Sequence, residues 1–154
     1  MDKNSKIKAL FFDIDGTLVS FQTHRIPQST VEALEKAKQN GVKIYISTGR
    51  PIILITNLGQ IEHLIDGYIT TNGARCFVEN HTVCQCPILR SDVEKVIEAA
   101  DRDDYSVIVV GEKHLAIHHL TPVVEKIFVE GLGVDSLDFQ TNIDDLKDED
   151  ILQL

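Results

Sequence analysis

A short apolar run followed at once by two aspartates is the feature of this chain that most restricts its fold. The residues Ala9-Leu10-Phe11-Phe12 lead directly into Asp13-Ile14-Asp15-Gly16-Thr17. Four consecutive apolar residues bounded by polar ones predict a short strand buried on both faces, as in a parallel sheet covered by helices. Asp13 then lies at the carboxyl end of this strand, which is where open α/β sheets bind their ligands.

The spacing of the two aspartates predicts a site for a cation and an anion. In an extended backbone Asp13 and Asp15 point to the same side, and Gly16 allows a sharp turn and the close approach of an anion. Two neighbouring carboxylates repel each other and favour a hard divalent cation, for which Mg2+ is the usual choice beside a phosphate. The alternative is an ordinary turn, since Asp and Gly are common turn residues.

A second polar segment follows the next predicted strand. Ser47-Thr48-Gly49-Arg50 comes directly after the strand predicted at Val42–Ile46 and precedes a helix predicted to begin at Pro51. Because helix N-termini bind anions, the Thr48 hydroxyl and the amide of Gly49 are predicted to hold phosphate oxygens. The planar fork of Arg50 can bind a phosphate or sugar hydroxyls. The alternative is a helix cap with a solvated arginine.

Alternating signals through the first half of the chain predict an α/β fold. The order is strand, helix, strand, helix, strand, with the first helix predicted around Val31–Lys38 and the third strand at Tyr68–Thr70. This order is typical of a doubly wound parallel sheet with right-handed crossovers. After Gly73 the pattern becomes α+β, which predicts a second module.

The second half is predicted to contain short strands and two helices. In chain order these are a hairpin of Arg75–Val78 and Thr82–Cys86, a helix from Ser91 or Asp92 to Ala100, strands at Val107–Val110 and Leu115–His118, a helix at Pro122–Glu130, and the start of a strand at Ile151–Leu154. The acidic residues Asp144-Asp145 and Asp148-Glu149-Asp150 are interpreted as a solvated loop.

Composition argues against several classes of partner and site. The formal net charge of −9 argues against nucleic acid and anionic membranes, which bind clustered Lys and Arg. No apolar run approaches the roughly 20 residues that cross a bilayer, and the run before Asp13 is too short for a signal peptide, so a cytoplasmic location is predicted. The three cysteines are interpreted as free thiols. His118 and His119 would face opposite ways on a strand, so we do not expect them to share a metal.

The polar segments resemble motifs of the haloacid dehalogenase superfamily, and specifically of its Cof-type sugar-phosphate phosphatases. The matching stretches are Phe11–Thr17, Ile46–Pro51 and Ile65–Ala74. The resemblance is strong from residue 7 to about residue 90. It implies a Mg2+-dependent phosphatase of small phosphorylated molecules. It also implies a doubly wound core over residues 1–82 and an α+β cap over residues 83–154, both of them partial.

The resemblance also implies a role for each matched residue. Asp13 is expected to be the nucleophile that forms an aspartyl-phosphate, and Asp15 the general acid and then the general base. Mg2+ is expected to bind the Asp13 carboxylate and the main-chain carbonyl of Asp15. Contacts with the phosphate and the substrate are expected from Gly16, Thr17, Thr48, Gly49, Arg50 and Asn72.

Two further motifs of that superfamily are not found in this sequence. One is a lysine that balances the charge of nucleophile and phosphate, and the other is an acidic cluster that completes the metal site. In the family both lie beyond the cap. We therefore expect a chain truncated within the cap that is inactive or only weakly active by itself.

Other functions remain open from the sequence. The chain could be a non-catalytic phosphate- or metal-binding fragment, or a subunit completed by another chain. A mutase is possible because the same nucleophile serves both reactions. A receiver-type signalling domain is disfavoured, since the third strand ends in Thr71-Asn72-Gly73 and carries no aspartate there.

Overall fold

The computed structural model describes residues 7–127 and 140–154. These residues form two compact units. The first contains the described residues up to Arg50 together with Ile55–Cys84, and the second contains Pro51–Leu54 and the described residues from Gln85 onward. Among the helices of the described residues, none is both long enough and apolar enough to span a bilayer.

A five-stranded sheet forms the first unit, in the order β1-β2-β3-β4-β5. The strands are β1 (Ala9–Phe12), β2 (Lys43–Ser47), β3 (Gly67–Thr70), β4 (Arg75–Val78) and β5 (His81–Gln85). The first three strands are parallel, and β4 is antiparallel to β3. The predicted α/β class with a parallel sheet is confirmed. The strand that follows Gly73 extends this same sheet and does not begin a new one.

One face of the sheet is covered by the helix α1 (Gln28–Gln39). Its buried residues Val31 and Leu34 are spaced at the helical period, and they share a core with Ile44 and Ile46 of β2, which are completely buried. Buried and less buried residues alternate along β2, as expected for a strand with one buried face.

The prediction that the first strand is buried on both faces is wrong. Phe11 is 58% exposed, and its ring stacks on Tyr45 of β2 with the centroids 5.0 Å apart. The two rings lie on the face of the sheet opposite to Ile44 and Ile46. Four apolar residues in a row do not by themselves say how many faces of a strand are covered.

The prediction of a helix that begins at Pro51 is also wrong. The chain forms only two short 3-10 turns, at Ile52–Leu54 and at Glu62–Leu64. The segment is rich in isoleucine, which loses side-chain freedom in a helix. Its apolar residues also belong to different cores, since Leu54 packs with the second unit and Leu58 with the first. A single amphipathic helix has one apolar face and cannot pack against both cores.

The second unit contains a three-stranded sheet in the order β6-β7-β8. Its elements are α2 (Arg90–Asp103), β6 (Val107–Val110), β7 (Leu115–His118), α3 (Pro122–Lys126) and β8 (Gln140–Thr141). Strands β6 and β7 are antiparallel, whereas β7 and β8 are parallel. Both strands β6 and β7 lie where the sequence predicts them, but β8 is not predicted. Residues 128–130 of the helix predicted at Pro122–Glu130 lie outside the described residues.

The acidic segment near the end of the chain is only partly a solvated loop. Leu146 closes a 3-10 turn and is 1% exposed. Glu149 accepts a hydrogen bond from the Lys113 amide at 2.9 Å and contacts His114 Nδ1. Burial alone would raise the pKa of Glu149, but these hydrogen bonds outweigh it and lower that pKa below its ordinary value. Where the sequence predicts the start of a strand at Ile151–Leu154, the structure has a single antiparallel bridge between Val110 and Gln153.

Candidate active site

Polar groups meet at the carboxyl ends of the three parallel strands. They line a cavity of about 290 Å3 formed by Asp13, Ser47, Thr48, Gly49, Ile69, Asn72 and Gly73. Asp13 follows β1, Thr48 and Gly49 follow β2, and Asn72 follows β3. Parallel strands end at the same edge of a sheet, so residues far apart in sequence lie together there. Ser47, Ile69 and Gly73 also line the cavity and were not among the expected site residues.

The chain turns sharply directly after Asp13. The carbonyl of the fully buried Ile14 accepts hydrogen bonds from the amides of Leu18 and Val19 at 3.1 and 2.9 Å. Gly16 has a φ of +74°, a conformation that glycine adopts at little cost. The backbone is therefore not extended across this segment, and strand alternation does not decide where Asp15 points. Asp15 is not among the residues that line the cavity.

Asp15 instead forms a two-point ion pair with Arg50. The distance from Arg50 Nε to Asp15 Oδ2 is 2.7 Å, and that from Nη2 to Oδ1 is 2.8 Å. The arginine side chain is 7% exposed and the aspartate 32%. Fork-to-fork pairs of this kind are short, strong and strict in geometry. The structure thus places the guanidinium on the aspartate and not in the cavity wall.

Thr48 is buried in the wall of the cavity and is held by several hydrogen bonds, one of them from the Asn72 amide to its carbonyl at 3.4 Å. Its amide donates to the Ile69 carbonyl at 2.9 Å, and its Oγ1 accepts the Arg50 amide hydrogen at 3.2 Å. In the second bond the hydroxyl oxygen is the acceptor, so the hydroxyl hydrogen can donate to an oxygen of a ligand.

The loop after β3 is held in an unusual backbone conformation. Thr71, Asn72 and Gly73 have φ values of +50°, +54° and +94°. A positive φ is costly for a β-branched residue such as Thr71, and such strain is often found at functional sites. The Thr71 amide donates to the Arg50 carbonyl at 3.1 Å, which helps to hold the loop. The Asn-Gly pair signals such a turn in the sequence, whereas nothing there signals the conformation of Thr71.

Gly49 lies close to its neighbour Asn72 across the cavity. A methyl group added at Gly49 would lie 3.0 Å from Oδ1 of Asn72, which is tighter than an ordinary contact. The side chain of Asn72 therefore packs directly over the backbone of Gly49. The absence of a side chain at Gly49 lets two of the strand ends approach closely.

Gly16 and Thr17 are not brought to this cavity. They line a separate hollow of about 330 Å3, together with Leu18, Ser20, Phe21, Gln22 and Pro27. Both residues are exposed. Of the expected site residues, the structure groups Asp13, Thr48, Gly49 and Asn72 at one cavity, joins Asp15 to Arg50, and leaves Gly16 and Thr17 in the other hollow.

The loop between β2 and β3 is anchored by Asp66, which the sequence reasoning did not single out. Its carboxylate accepts hydrogen bonds from Lys38 Nζ at 2.6 Å, from Lys43 Nζ at 2.8 Å and from the Ile44 amide at 2.8 Å. Burial alone would raise the pKa of Asp66, but these three partners lower it to about 2. The sequence signal for this residue is the Asp66-Gly67 pair at the start of β3.

The model of a protein family described as haloacid dehalogenase-like hydrolase matches residues 10–154 of this chain. The chain belongs to this family. The superfamily predicted from the motifs is thereby confirmed. Among solved structures, the chain is similar to the subclass IIB sugar phosphatase BT4131, with 42% identity and a TM-score of 0.83 over 94% of this chain and 56% of that one. It is also similar to BT1666 from Bacteroides thetaiotaomicron, with 31% identity and a TM-score of 0.75 over 95% of this chain and 53% of that one.

Curated relatives cover different shares of the chain. YkrA of Bacillus subtilis is 27% identical over 150 residues, which are 96% of this chain and 56% of that relative. The 5-amino-6-(5-phospho-D-ribitylamino)uracil phosphatase YcsE of Bacillus subtilis is 30% identical over 86 residues, or 56% of this chain and 34% of that relative. The chain therefore spans little more than half the length of YkrA.

Proposed function

We propose that this chain carries part of the active site of a Mg2+-dependent phosphatase that hydrolyses small phosphate monoesters, sugar phosphates in particular. The observation that carries the proposal is that Asp13 and Thr48 line one cavity at the carboxyl ends of β1 and β2. The similarity to a sugar phosphatase at 42% identity supports the class of substrate.

In the proposed reaction Asp13 attacks the phosphorus atom in line with the leaving alkoxide. The new bond joins an Asp13 oxygen to phosphorus, the ester P–O bond breaks, and an aspartyl-phosphate forms. Thr48 donates its hydroxyl hydrogen to a phosphate oxygen, and Gly49 and Asn72 bound the space that the phosphate fills. Positioning and charge neutralisation supply most of the catalysis in phosphoryl transfer.

Asp15 is the proposed general acid for the leaving alkoxide and the base for the water that then attacks the aspartyl-phosphate. Arg50 is the proposed positioning residue for it. The guanidinium uses one acceptor site on each carboxylate oxygen, and each oxygen has a further lone pair with which to exchange a proton. The ion pair therefore orients Asp15 and leaves a lone pair on each oxygen; Asp15 takes up a proton there before it acts as the acid, and it takes one from the attacking water when it acts as the base. Gly16, Thr17 and Arg50 are also proposed to contact the substrate.

The donor set fits a hard cation such as Mg2+, because the groups in reach are oxygens. Since the Asp15 carboxylate is bound to Arg50, the donors that we propose among the described residues are the Asp13 carboxylate and the main-chain carbonyl of Asp15. When bound there, Mg2+ would neutralise charge on the nucleophile and the phosphate. Two protein donors are few for this ion, so we propose that the 154 residues alone bind Mg2+ weakly and are inactive or nearly so.

The division into a core over residues 1–82 and a cap over residues 83–154 is likewise proposed, and the cytoplasmic location stays a prediction. The second candidate function is a non-catalytic phosphate-binding fragment. The small number of metal donors favours it for this polypeptide. Both candidates bind phosphate in the same cavity, but only the phosphatase releases phosphate from a substrate.

The test is a titration of the 15N-labelled chain with inorganic phosphate in the presence of Mg2+. We expect saturable shifts of the amide signals of Thr48, Gly49 and Asn72, and their loss in Asp13→Asn. Asp103→Asn is the matched control, since Asp103 is an exposed carboxylate in α2. The proposal of a shared cavity is overturned if these amides do not respond, or if they respond equally in Asp13→Asn.

A second measurement addresses activity. Release of phosphate from a sugar phosphate is followed with a mass-verified sample of the 154-residue chain, with Mg2+ and with a chelator. We expect little or no release. Metal-dependent release that Asp13→Asn abolishes would confirm the phosphatase and refute the inactivity of the chain alone.

A further inference from the structure

The ends of α2 and β7 in the second unit carry a cluster of two histidines and an aspartate. Oδ1 of Asp101 lies 2.7 Å from Nε2 of His118 and 3.1 Å from Nε2 of His119. One ligand atom from each of the three residues can be chosen so that all lie within 4.8 Å of one another. The proposed phosphatase chemistry uses none of these residues.

Adjacent histidines converge here because the strand ends between them. His118 is the last residue of β7, and His119 has a φ of +54°, so strand alternation no longer applies. The two imidazole rings stack with their centroids 4.1 Å apart and their planes 21° from parallel. The Ser106 hydroxyl donates to the His119 carbonyl at 2.5 Å and fixes this turn. The expectation that the two side chains face opposite ways is wrong.

The cluster also contains a nitrogen with an unmet hydrogen-bonding capacity. Nδ1 of His119 is buried and has no hydrogen-bond partner among the described residues. A buried polar atom of this kind is costly. Oδ1 of Asp104 lies 3.9 Å from this nitrogen, beyond hydrogen-bonding distance, and the Asp104 side chain is fully exposed. A carboxylate beside the second ring nitrogen is a usual companion of a metal-bound histidine.

We propose that Asp101, His118 and His119 bind a divalent transition-metal ion of the Zn2+ type. Two imidazole nitrogens with one carboxylate suit Zn2+, Co2+ or Ni2+, whereas Mg2+ and Ca2+ prefer oxygen ligands alone. The metal binds the two Nε2 atoms and an Asp101 oxygen, and one position stays open to water. Asp104 accepts the Nδ1 hydrogen of His119 and so orients its ring.

The separations between the carboxylate and the two imidazoles are close to those that this assignment needs. Metal–ligand bonds of about 2.0–2.2 Å at tetrahedral angles place neighbouring ligand atoms roughly 3.3 Å apart. The observed separations of 2.7 and 3.1 Å must open towards that value, and the stacked imidazole rings must turn so that both Nε2 atoms point at the ion. The ion would join α2 near its C-terminal end to the turn after β7, and the Asp101 and His118 ligands are 17 residues apart in sequence.

The test uses the full chain with Zn2+ as the probe in calorimetric titration, at a slightly alkaline pH where imidazole is neutral. Cys84 and Cys86 are exposed and lie outside any disulfide, and exposed thiols can bind zinc, so both are first replaced by serine. We expect one equivalent to bind, and His118→Ala and His119→Ala each to weaken the affinity by at least about tenfold, since even loss of an outer-shell partner has such an effect. His63→Ala is the matched control, because His63 is exposed and lies in the first unit.

A spectroscopic measurement separates metal binding from a merely structural effect of the substitutions. With Co2+ in place of Zn2+, the site should show the visible absorption of a low-coordinate ion with nitrogen and oxygen ligands, and His119→Ala should abolish it while far-ultraviolet circular dichroism stays unchanged. Two results would refute the site. One is no binding in the serine background, and the other is binding that His114→Ala removes and His119→Ala retains, which would assign the ion to the His114–Glu149 pair instead.

Discussion

Arg50 binds both carboxylate oxygens of Asp15, with Nε to Oδ2 at 2.7 Å and Nη2 to Oδ1 at 2.8 Å. The pair joins the segment after β1 to the segment after β2, and the main-chain carbonyl of Arg50 accepts the Thr71 amide of the loop after β3. The contacts of Arg50 therefore link the segments that follow all three parallel strands.

Replacing Arg50 by lysine should destabilise the first unit by about 1–2 kcal/mol. Lysine keeps the positive charge but cannot form the two parallel hydrogen bonds to Asp15, and bonds to charged groups are worth the most. Urea denaturation measures the change in the free energy of unfolding. Arg102→Lys is the control, because Arg102 pairs with Asp103 on the surface and such pairs contribute little. Equal losses in the two variants would contradict a special role for Arg50.

Replacing Gly49 by alanine should weaken phosphate binding more than it changes stability. The new methyl group would lie 3.0 Å from Oδ1 of Asn72 and push that side chain away from its position over Gly49. We expect the Asn72 amide and side-chain signals to shift in NMR spectra, and phosphate affinity to fall several-fold. Gly59→Ala is the control, since a methyl group there meets nothing within 4 Å and should change neither property. An Asn72 signal that moves equally in both variants would disprove the contact.

The parts of this structure that the sequence predicts well are those set by neighbouring residues. Strand β6 is an apolar, β-branched run followed by glycine, and β7 is an apolar run that ends in histidine, so their bounds follow from local pattern alone. Contacts between distant segments account for the errors. Asp15 points to Arg50 because the turn at Gly16 ends the strand geometry, and the residues after Pro51 divide between two cores and so do not form one helix.

In the candidate site, too, some features follow from neighbouring residues and others depend on contacts between distant segments. Asp13 and Thr48 could be placed at one edge of the sheet because each directly follows a predicted parallel strand. The left-handed backbone at Thr71 could not be predicted, since it depends on a hydrogen bond to the Arg50 carbonyl across the sheet. The meeting of His118 and His119 on Asp101 likewise depends on where β7 ends.

Asp66 should make the stability of the protein fall as the pH drops from about 4 to about 2. Its pKa is lowered from 3.8 to about 2 in the folded state, so the folded protein binds this proton less readily than the unfolded chain does. The contribution is therefore fully present above pH 4, and it is lost as the pH falls through the folded pKa. The linkage corresponds to about 2 kcal/mol.

Chemical denaturation across this pH range measures the effect. In Asp66→Asn we expect lower stability near neutral pH and a flatter dependence between about pH 4 and pH 2. Asp103→Asn, which removes an exposed carboxylate, is the control and should follow the unsubstituted protein closely. If the curves of Asp66→Asn and of the unsubstituted protein run parallel through this range, Asp66 is not the group responsible.

Gly111→Ala should destabilise the second unit by about 1–3 kcal/mol, as overpacking of a filled site usually does. Gly111 is buried at the turn between β6 and β7, where its amide donates to the His114 carbonyl at 2.9 Å, and a methyl group there would collide with the Glu149 carboxylate. Glu149 in turn accepts the Lys113 amide, so the collision would also break the contact that holds the acidic segment.

A double-mutant cycle with Glu149→Ala checks this cause. Glu149→Ala alone should destabilise the protein, since it leaves the Lys113 amide without its acceptor. In that background the methyl group at Gly111 meets mainly Leu146, at 3.1 Å, so adding Gly111→Ala should have a much smaller effect than in the unsubstituted protein. Strictly additive losses would show that the carboxylate is not what excludes a side chain at Gly111.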